Sequence, residues 1–156
     1  MSEDNVRLGV VGLGGWGKML ANASGRTGQV DLVRCFARTK ETRDSFSEEF
    51  GSTPAESYSE ILNDDNVDGV ILTTPHSTHV GMICEAASAG KHVFVEKPLT
   101  LTVEDANKAI EATTSAEVIL QVGHHRRKQG ANRRIKQMIE QGELGTIHQL
   151  DANLSN

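Results

Sequence analysis

Short apolar runs alternating with longer stretches of helical periodicity restrict this 156-residue sequence more than any other feature. The runs are Val6–Val11, Val30–Phe36, Thr53–Ala55, Val67–Thr73, His92–Val95 and Val118–Val122. Runs so continuously apolar suit strands buried on both faces, and the intervening helical patterns supply the crossovers that parallel strands need. Helices are predicted from about Gly15 to Ser24, from Lys40 to Phe50, briefly through Leu62, from Pro75 to Gly90, and onward from Thr102. Thr39 is the expected N-cap of the second helix, Ser57 and Glu60 form a capping box, and Thr102 with Asp105 marks another start. Val80, Ile83, Cys84 and Ala87 lie on one face of their helix, and apolar Val103, Ala106, Ala109 and Ile110 recur at helical spacing. Six strands in strand–helix order predict an α/β fold with a doubly wound parallel sheet over residues 1–123.

The texture changes after Gly123. Residues 124–128 are basic, a helix is predicted from Ala131 to Gln141, and Ile147–Leu154 has the pattern of a seventh strand. One helix and one strand cannot bury both their apolar faces, so residues 124–156 are expected to open a second, α+β domain whose body lies beyond this sequence.

Composition narrows the class. The chain is 37% hydrophobic with a formal net charge of −5, which gives no reason to expect nucleic acid as a partner. The cluster Arg126, Arg127, Lys128, Arg133, Arg134 and Lys136 lacks interleaved aromatic residues and suits a solvated or interface helix face. No apolar stretch approaches the roughly 18 residues of a membrane span. The polar start Ser2-Glu3-Asp4-Asn5 is unlike a signal peptide. The two cysteines, Cys35 and Cys84, lie in apolar runs without metal-ligand spacing, the usage expected of a reducing cytoplasmic compartment.

Gly12-Leu13-Gly14-Gly15-Trp16-Gly17 is a G-x-G-x-x-G segment lying directly after a strand and opening a helix. In that context it is the fingerprint of a Rossmann dinucleotide-binding unit. Gly12 permits the tight turn, Gly14 lets backbone approach a pyrophosphate, and Gly17 allows close packing of helix on strand. Helix-start N–H groups then face the phosphates, aided by the helix dipole. A glycine-rich turn without a ligand is the plainer alternative. The Trp16 side chain suits packing better than ligand contact.

At the end of the second strand, where an acidic residue ordinarily accepts hydrogen bonds from the adenosine ribose, this chain has Ala37, Arg38 and Thr39. Asp31 lies at the wrong end of the strand. A 2′-phosphate would meet no repulsion here, and the Arg38 guanidinium would bind it, assisted by Thr39 and Lys40. NADP(H) is therefore favoured over NAD(H), unless Arg38 is merely a solvated charge. Arg34, by contrast, stands mid-strand where a small apolar residue is expected, with no reason visible in the sequence.

Ligands of open parallel sheets bind outside the carboxyl ends of the strands. Three further segments meet there: Thr73-Thr74-Pro75-His76, Glu96-Lys97-Pro98, and Gln121-Val122-Gly123-His124-His125. Pro98 disfavours helical geometry at Lys97. A lysine beside a nicotinamide ring can hold a substrate hydroxyl and pass its proton, a role that calls for burial to lower its pKa. An exposed Glu–Lys pair in an ordinary turn would read the same in sequence. His76 with His79, and His124 with His125, raise the question of a metal, but no Cys or acidic residue has matching spacing, and no metal site is assigned.

Taken together these segments resemble the glucose–fructose oxidoreductase, inositol dehydrogenase and MocA (Gfo/Idh/MocA) family. The resemblance rests on Gly12–Gly17, Thr74-Pro75-His76-Ser77-Thr78-His79, Gly90-Lys91-His92-Val93-Phe94-Val95-Glu96-Lys97-Pro98-Leu99 and Gln121-Val122-Gly123, and spans nearly the whole chain. It implies that Lys97 lies by the substrate as the catalytic residue and that Glu96 helps hold the cofactor. It further implies that Thr74, Pro75, His76 and His79 border the nicotinamide riboside, with Gln121 completing the cofactor-binding set. Sugars, cyclitols or related hydroxyl and carbonyl compounds are the implied substrates, and the implied C-terminal domain often builds oligomers. His76 replaces the family's usual Asn, and His124-His125-Arg126-Arg127 replaces a more usual aromatic-Asn-Arg-Arg, which bears on substrate class. The alternative from another class is a non-catalytic dinucleotide-binding module, such as a redox sensor or an inactive partner subunit.

Overall fold

Apolar residues on successive positions of a strand point to opposite faces, and the central strands here are apolar on both. The computed structural model describes residues 5–153. Its elements are β1 (Val6–Val11), α1 (Gly15–Gly25), β2 (Val30–Phe36), α2 (Lys40–Phe50), β3 (Thr53–Pro54), α3 (Tyr58–Leu62), β4 (Gly69–Leu72), α4 (His79–Ser88), β5 (His92–Val95), α5 (Val103–Ser115), β6 (Leu120–Val122) and α6 (Gly130–Glu140). Single 3-10 turns occupy His76–Thr78 and His125–Lys128.

The six strands form one sheet in the order β3-β2-β1-β4-β5-β6, every pair parallel. Chain order reverses between β1 and β4, which opens a crevice at their carboxyl ends. Val10 and Ile71 join Leu13, Ala21, Cys35 and Phe46 in the core on one face. Their neighbours Val11, Val70 and Leu72 join Ile61, Ile83, Val93 and Ala109 on the other. Burial raises the Cys35 thiol pKa, as suits an inert core residue.

The chain divides into two compact units, Met1–Gly123 and His124–Asn156. Within the second, no residue of α6 is buried, and Ile135 and Ile139 are exposed. The seventh strand predicted at Ile147–Leu154 does not form. Positions 147–153 carry no strand, and Leu154 lies outside the described residues. A strand needs a neighbour to complete its ladder, and the described residues of the second unit offer none.

Three local expectations are met in part. Thr39 occupies the N-cap of α2, yet its hydroxyl pairs with the Thr42 hydroxyl at 2.6 Å and caps nothing. Ser57 Oγ does accept from the Glu60 amide, but the Glu60 carboxylate reaches back to the Glu56 amide, one residue earlier than a capping box requires. On α5 the buried residues are Ala109 and Thr113, whereas Val103 and Ile110 are exposed.

Arg34 acquires its reason. Its guanidinium is ion-paired with Glu60, and its Nε lies 3.1 Å from Asp64 Oδ2, not aligned as a hydrogen bond. It ties β2 to α3 and to the turn that follows. At the same amino end of the sheet, Asp68 accepts from the Arg7 side chain (2.6 and 3.1 Å) and from the Arg7 amide (2.8 Å). The buried Lys91 ammonium donates to the carbonyls of Asp64 and Val67.

Two outcomes follow from this packing. Phe46 is fully buried against Phe50, so Phe46→Ala is expected to cost about 3–5 kcal/mol in urea unfolding. The Arg7 hydrogen bonds hold the Asp68 pKa below the usual carboxylate value. The stability they add is thus full above that value and lost as pH falls through the depressed one. Asp68→Asn should flatten this acid limb of a stability–pH profile, and an unchanged limb would remove Asp68 from it.

Candidate functional site

Backbone ladders fix the level at which the crevice loops leave the sheet. The amides of Thr73, Glu96 and Gly123 continue the ladders one residue past β4, β5 and β6, donating to Val11, Leu72 and Val95 carbonyls at 2.9, 2.9 and 2.8 Å. The β1–α1 turn is seated against β4. Gly12 has φ +93°, and a Cβ there would lie 2.7 Å from the Thr73 carbonyl oxygen. A Cβ on Gly17 would lie 2.2 Å from the Gly12 carbonyl oxygen, so only glycine lets α1 sit this close. The Thr73 hydroxyl hydrogen-bonds the Gly12 carbonyl and closes the arrangement.

Gly14 and Gly15 face the other way. A Cβ at either would meet nothing within 4 Å, and Gly14 at the N-cap of α1 offers no side chain to the helix-start amides. An uncapped helix N-terminus fronting open space fits a diphosphate.

A cavity of about 530 Å³ adjoins this turn. It brings together Gly12, Leu13, Gly14, Arg38, Thr39, Thr74 and Pro75 of the predicted residues, and adds Phe36, Thr42, Thr73, Thr78 and Met82. None of the lining residues is acidic. Arg38 is exposed there, and among the described residues its guanidinium makes no ion pair.

The remaining predicted residues sit beyond the cavity lining. Glu96 is buried, with its carboxylate accepting from the Lys97 amide at 3.2 Å. Among the described residues the Lys97 ammonium makes no ion pair, so the two do not form an ordinary surface Glu–Lys pair. Lys97 is exposed, and the burial expected of it is not found. Its Nζ stands 6.0 Å from the centre of the Trp16 ring, and the Lys97–Pro98 peptide is cis. Trp16 is 43% exposed.

His76 is exposed on its 3-10 turn, its ring 5.6 Å from that of His79. His79 is fully buried. Its Nδ1 lies 2.9 Å from the Pro98 carbonyl and its Nε2 3.1 Å from the Thr74 carbonyl. The imidazole therefore joins the loops after β4 and β5 from behind. Gln121 is exposed on β6, and its amide donates to the Val122 carbonyl at 2.9 Å. Among the described residues no three His, Cys, Asp or Glu side chains cluster as metal ligands, and no helix is long and apolar enough to cross a membrane.

Sequence reasoning placed Thr73 at the crevice but missed that its hydroxyl seats the turn. A polar β-branched residue ending an apolar strand was the available signal. It also missed Arg43, which is buried beneath the loop after β2.

Known proteins share this arrangement. The model of an oxidoreductase family with an NAD-binding Rossmann fold (Gfo/Idh/MocA) matches residues 6–124. The scyllo-inositol 2-dehydrogenase (NAD(+)) of Bacillus subtilis (strain 168) is 39% identical over 145 residues, covering 92% of this chain and 42% of its own. The myo-inositol 2-dehydrogenase of Thermotoga maritima is 33% identical over 146 residues, 93% of this chain and 44% of its own. Among solved structures, the WlbA dehydrogenase from Bordetella pertussis, in complex with NADH and UDP-GlcNAcA, superposes with a TM-score of 0.87. It is 31% identical and covers 93% of this chain and 42% of that one. The chain thus spans less than half the length of these relatives.

The glycines separate fold from ligand. Gly17→Ala should lower stability by about 1–3 kcal/mol through overpacking. Gly14→Ala should leave the urea midpoint unchanged while weakening binding of a pyridine dinucleotide. Equal effects of Gly14→Ala on both would remove the phosphate site from that position.

Proposed function

The chain belongs to the Gfo/Idh/MocA family of oxidoreductases, and from that premise we propose that it is the cofactor-binding part of an NADP(H)-dependent dehydrogenase or reductase acting on a sugar, cyclitol or related small molecule. The observation that carries the cofactor reading is the cavity beside the Gly12–Gly17 turn, in which Arg38, without an ion pair among the described residues, stands where an acid would repel a 2′-phosphate. Gly14 and Gly15 leave room for the diphosphate, Arg38 and Thr39 take the 2′-phosphate, and Thr74 and Pro75 border the nicotinamide riboside. Glu96 and Gln121 complete that half of the site, His76 stands at its rim, and His79 holds its loops from behind. When bound, the dinucleotide supplies or takes up the hydride.

Lys97 is the catalytic residue of this reading. Its Nζ holds the substrate oxygen: as the ammonium it gives a proton to a carbonyl oxygen in the reducing direction, and as the neutral amine it takes one from a hydroxyl in the oxidising direction. An ammonium unpaired by Glu96 supports that role. Residues 124–156 are read as the opening of a domain that completes the substrate pocket and assembles the oligomer, a reading supported by the uncovered apolar residues of α6. The free thiols of Cys35 and Cys84 fit a cytoplasmic setting.

Titration with NADPH and NADH tests the cofactor reading. Arg38→Ala should weaken NADPH binding by about 1.5–3 kcal/mol and leave NADH almost unchanged. Equal losses on both would overturn it. In a protein that turns over a polyol, Lys97→Ala should lower kcat far more than dinucleotide affinity. Unchanged turnover would take Lys97 out of the mechanism and favour a binding module.

A further inference from the structure

Arg43 lies on the buried stripe of α2 with Phe46 and Phe50, a place where an aliphatic side chain would satisfy packing alone. A guanidinium there loses most of its hydration and is tolerated only if it is well held. Its side chain is 7% exposed, and it pairs through Nη2 with Glu56 Oε2 at 2.6 Å. Its Nη1 donates to the Ala37 carbonyl at 2.9 Å and, at longer range, to the Arg38 carbonyl at 3.5 Å.

Those two carbonyls belong to the peptide planes on either side of the Arg38 Cα. A residue has two soft backbone dihedrals, and tying both flanking planes to one planar donor restrains both of them. The direction in which the Arg38 side chain leaves the backbone is thereby set. The far side of the loop is closed by the Thr39–Thr42 hydroxyl pair at 2.6 Å.

We propose that Arg43 is a positioning residue for cofactor selectivity: acting through Arg38, it holds the loop after β2 in the conformation that receives a 2′-phosphate. The inference rests on the reading that Arg38 takes that phosphate. Arg43 does not touch the ligand. It lowers the cost of ordering the loop that does, so its effect is confined to ligands carrying the extra phosphate.

The test is calorimetric titration of the 156-residue chain with NADPH, NADH, 2′,5′-ADP and 5′-AMP, in wild type, Arg38→Ala, Arg43→Met, the double variant and Arg43→Lys. Arg43→Met should reduce the preference for the phosphorylated member of each pair by about tenfold, with NADH and AMP held within about twofold. Arg43→Lys, whose ammonium still reaches a carbonyl, should restore part of the preference. In the Arg38→Ala background Arg43→Met should have no further effect, because the two act as a unit. Additive losses, or equal losses on both members of each pair, would overturn the proposal. If Arg43→Met shows no cooperative melting transition, Arg43→Lys carries the test, and an unaltered preference in that variant overturns it. A wild-type chain without preference for NADPH defeats the reading of Arg38 itself, whereas a preference that survives Arg43→Met defeats only the role of Arg43.

Discussion

Where β1 turns into α1, a side chain at position 17 would lie 2.2 Å from the Gly12 carbonyl oxygen, and that oxygen is itself held by the Thr73 hydroxyl at the end of β4. Three backbone segments meet at distances that exclude one additional methyl group. The helix start is thereby brought over the crevice between β1 and β4, with Gly14 and Gly15 turned outward. Everything attributed to the site depends on this seating. The cavity beside it, the loop after β2, and the strand ends carrying Thr74 and Lys97 are arranged around a helix that could not otherwise approach the sheet.

Charge is distributed unevenly along the strand direction. At the amino ends, Arg7 is paired with Asp68, Arg34 with Glu60 and Asp64, and Lys91 is spent on two carbonyls. At the carboxyl ends, Arg38 and Lys97 are cationic and unpaired among the described residues, although the whole chain has a formal charge of −5. Ion pairs at one end fasten strands and turns together. Arg38 and Lys97 at the other end are left without such a fastening role.

Much of this was readable in the sequence because the first 123 residues obey local rules consistently. Continuous apolar runs, glycine at the helix ends and the Gly12–Gly17 spacing each point to the same sheet. What was not readable depended on partners distant in the chain. Arg34 looked misplaced until Glu60 and Asp64 were seen beside it. Periodicity on α5 selected Val103, Ala106, Ala109 and Ile110, but the helix buries Ala109 and Thr113 and leaves Val103 and Ile110 exposed. His79 reads in sequence as one more residue of the loop after β4, and only the fold shows its fully buried ring linking that loop to the one after β5. The pattern over Ile147–Leu154 has the alternation of a strand, yet alternation specifies which face a strand would bury, and supplies no neighbour to pair with.

Trp16 is the single tryptophan of the chain, half-exposed in the phosphate turn, with the Lys97 ammonium 6.0 Å from its ring. Within this sequence tryptophan emission therefore originates at the turn between β1 and α1. Indole emits in the band where a reduced dihydropyridine absorbs, so light absorbed at Trp16 passes to any such ring lodged nearby. The fold thus carries its own optical gauge, and occupancy of the crevice is written in a spectrum without any label being attached.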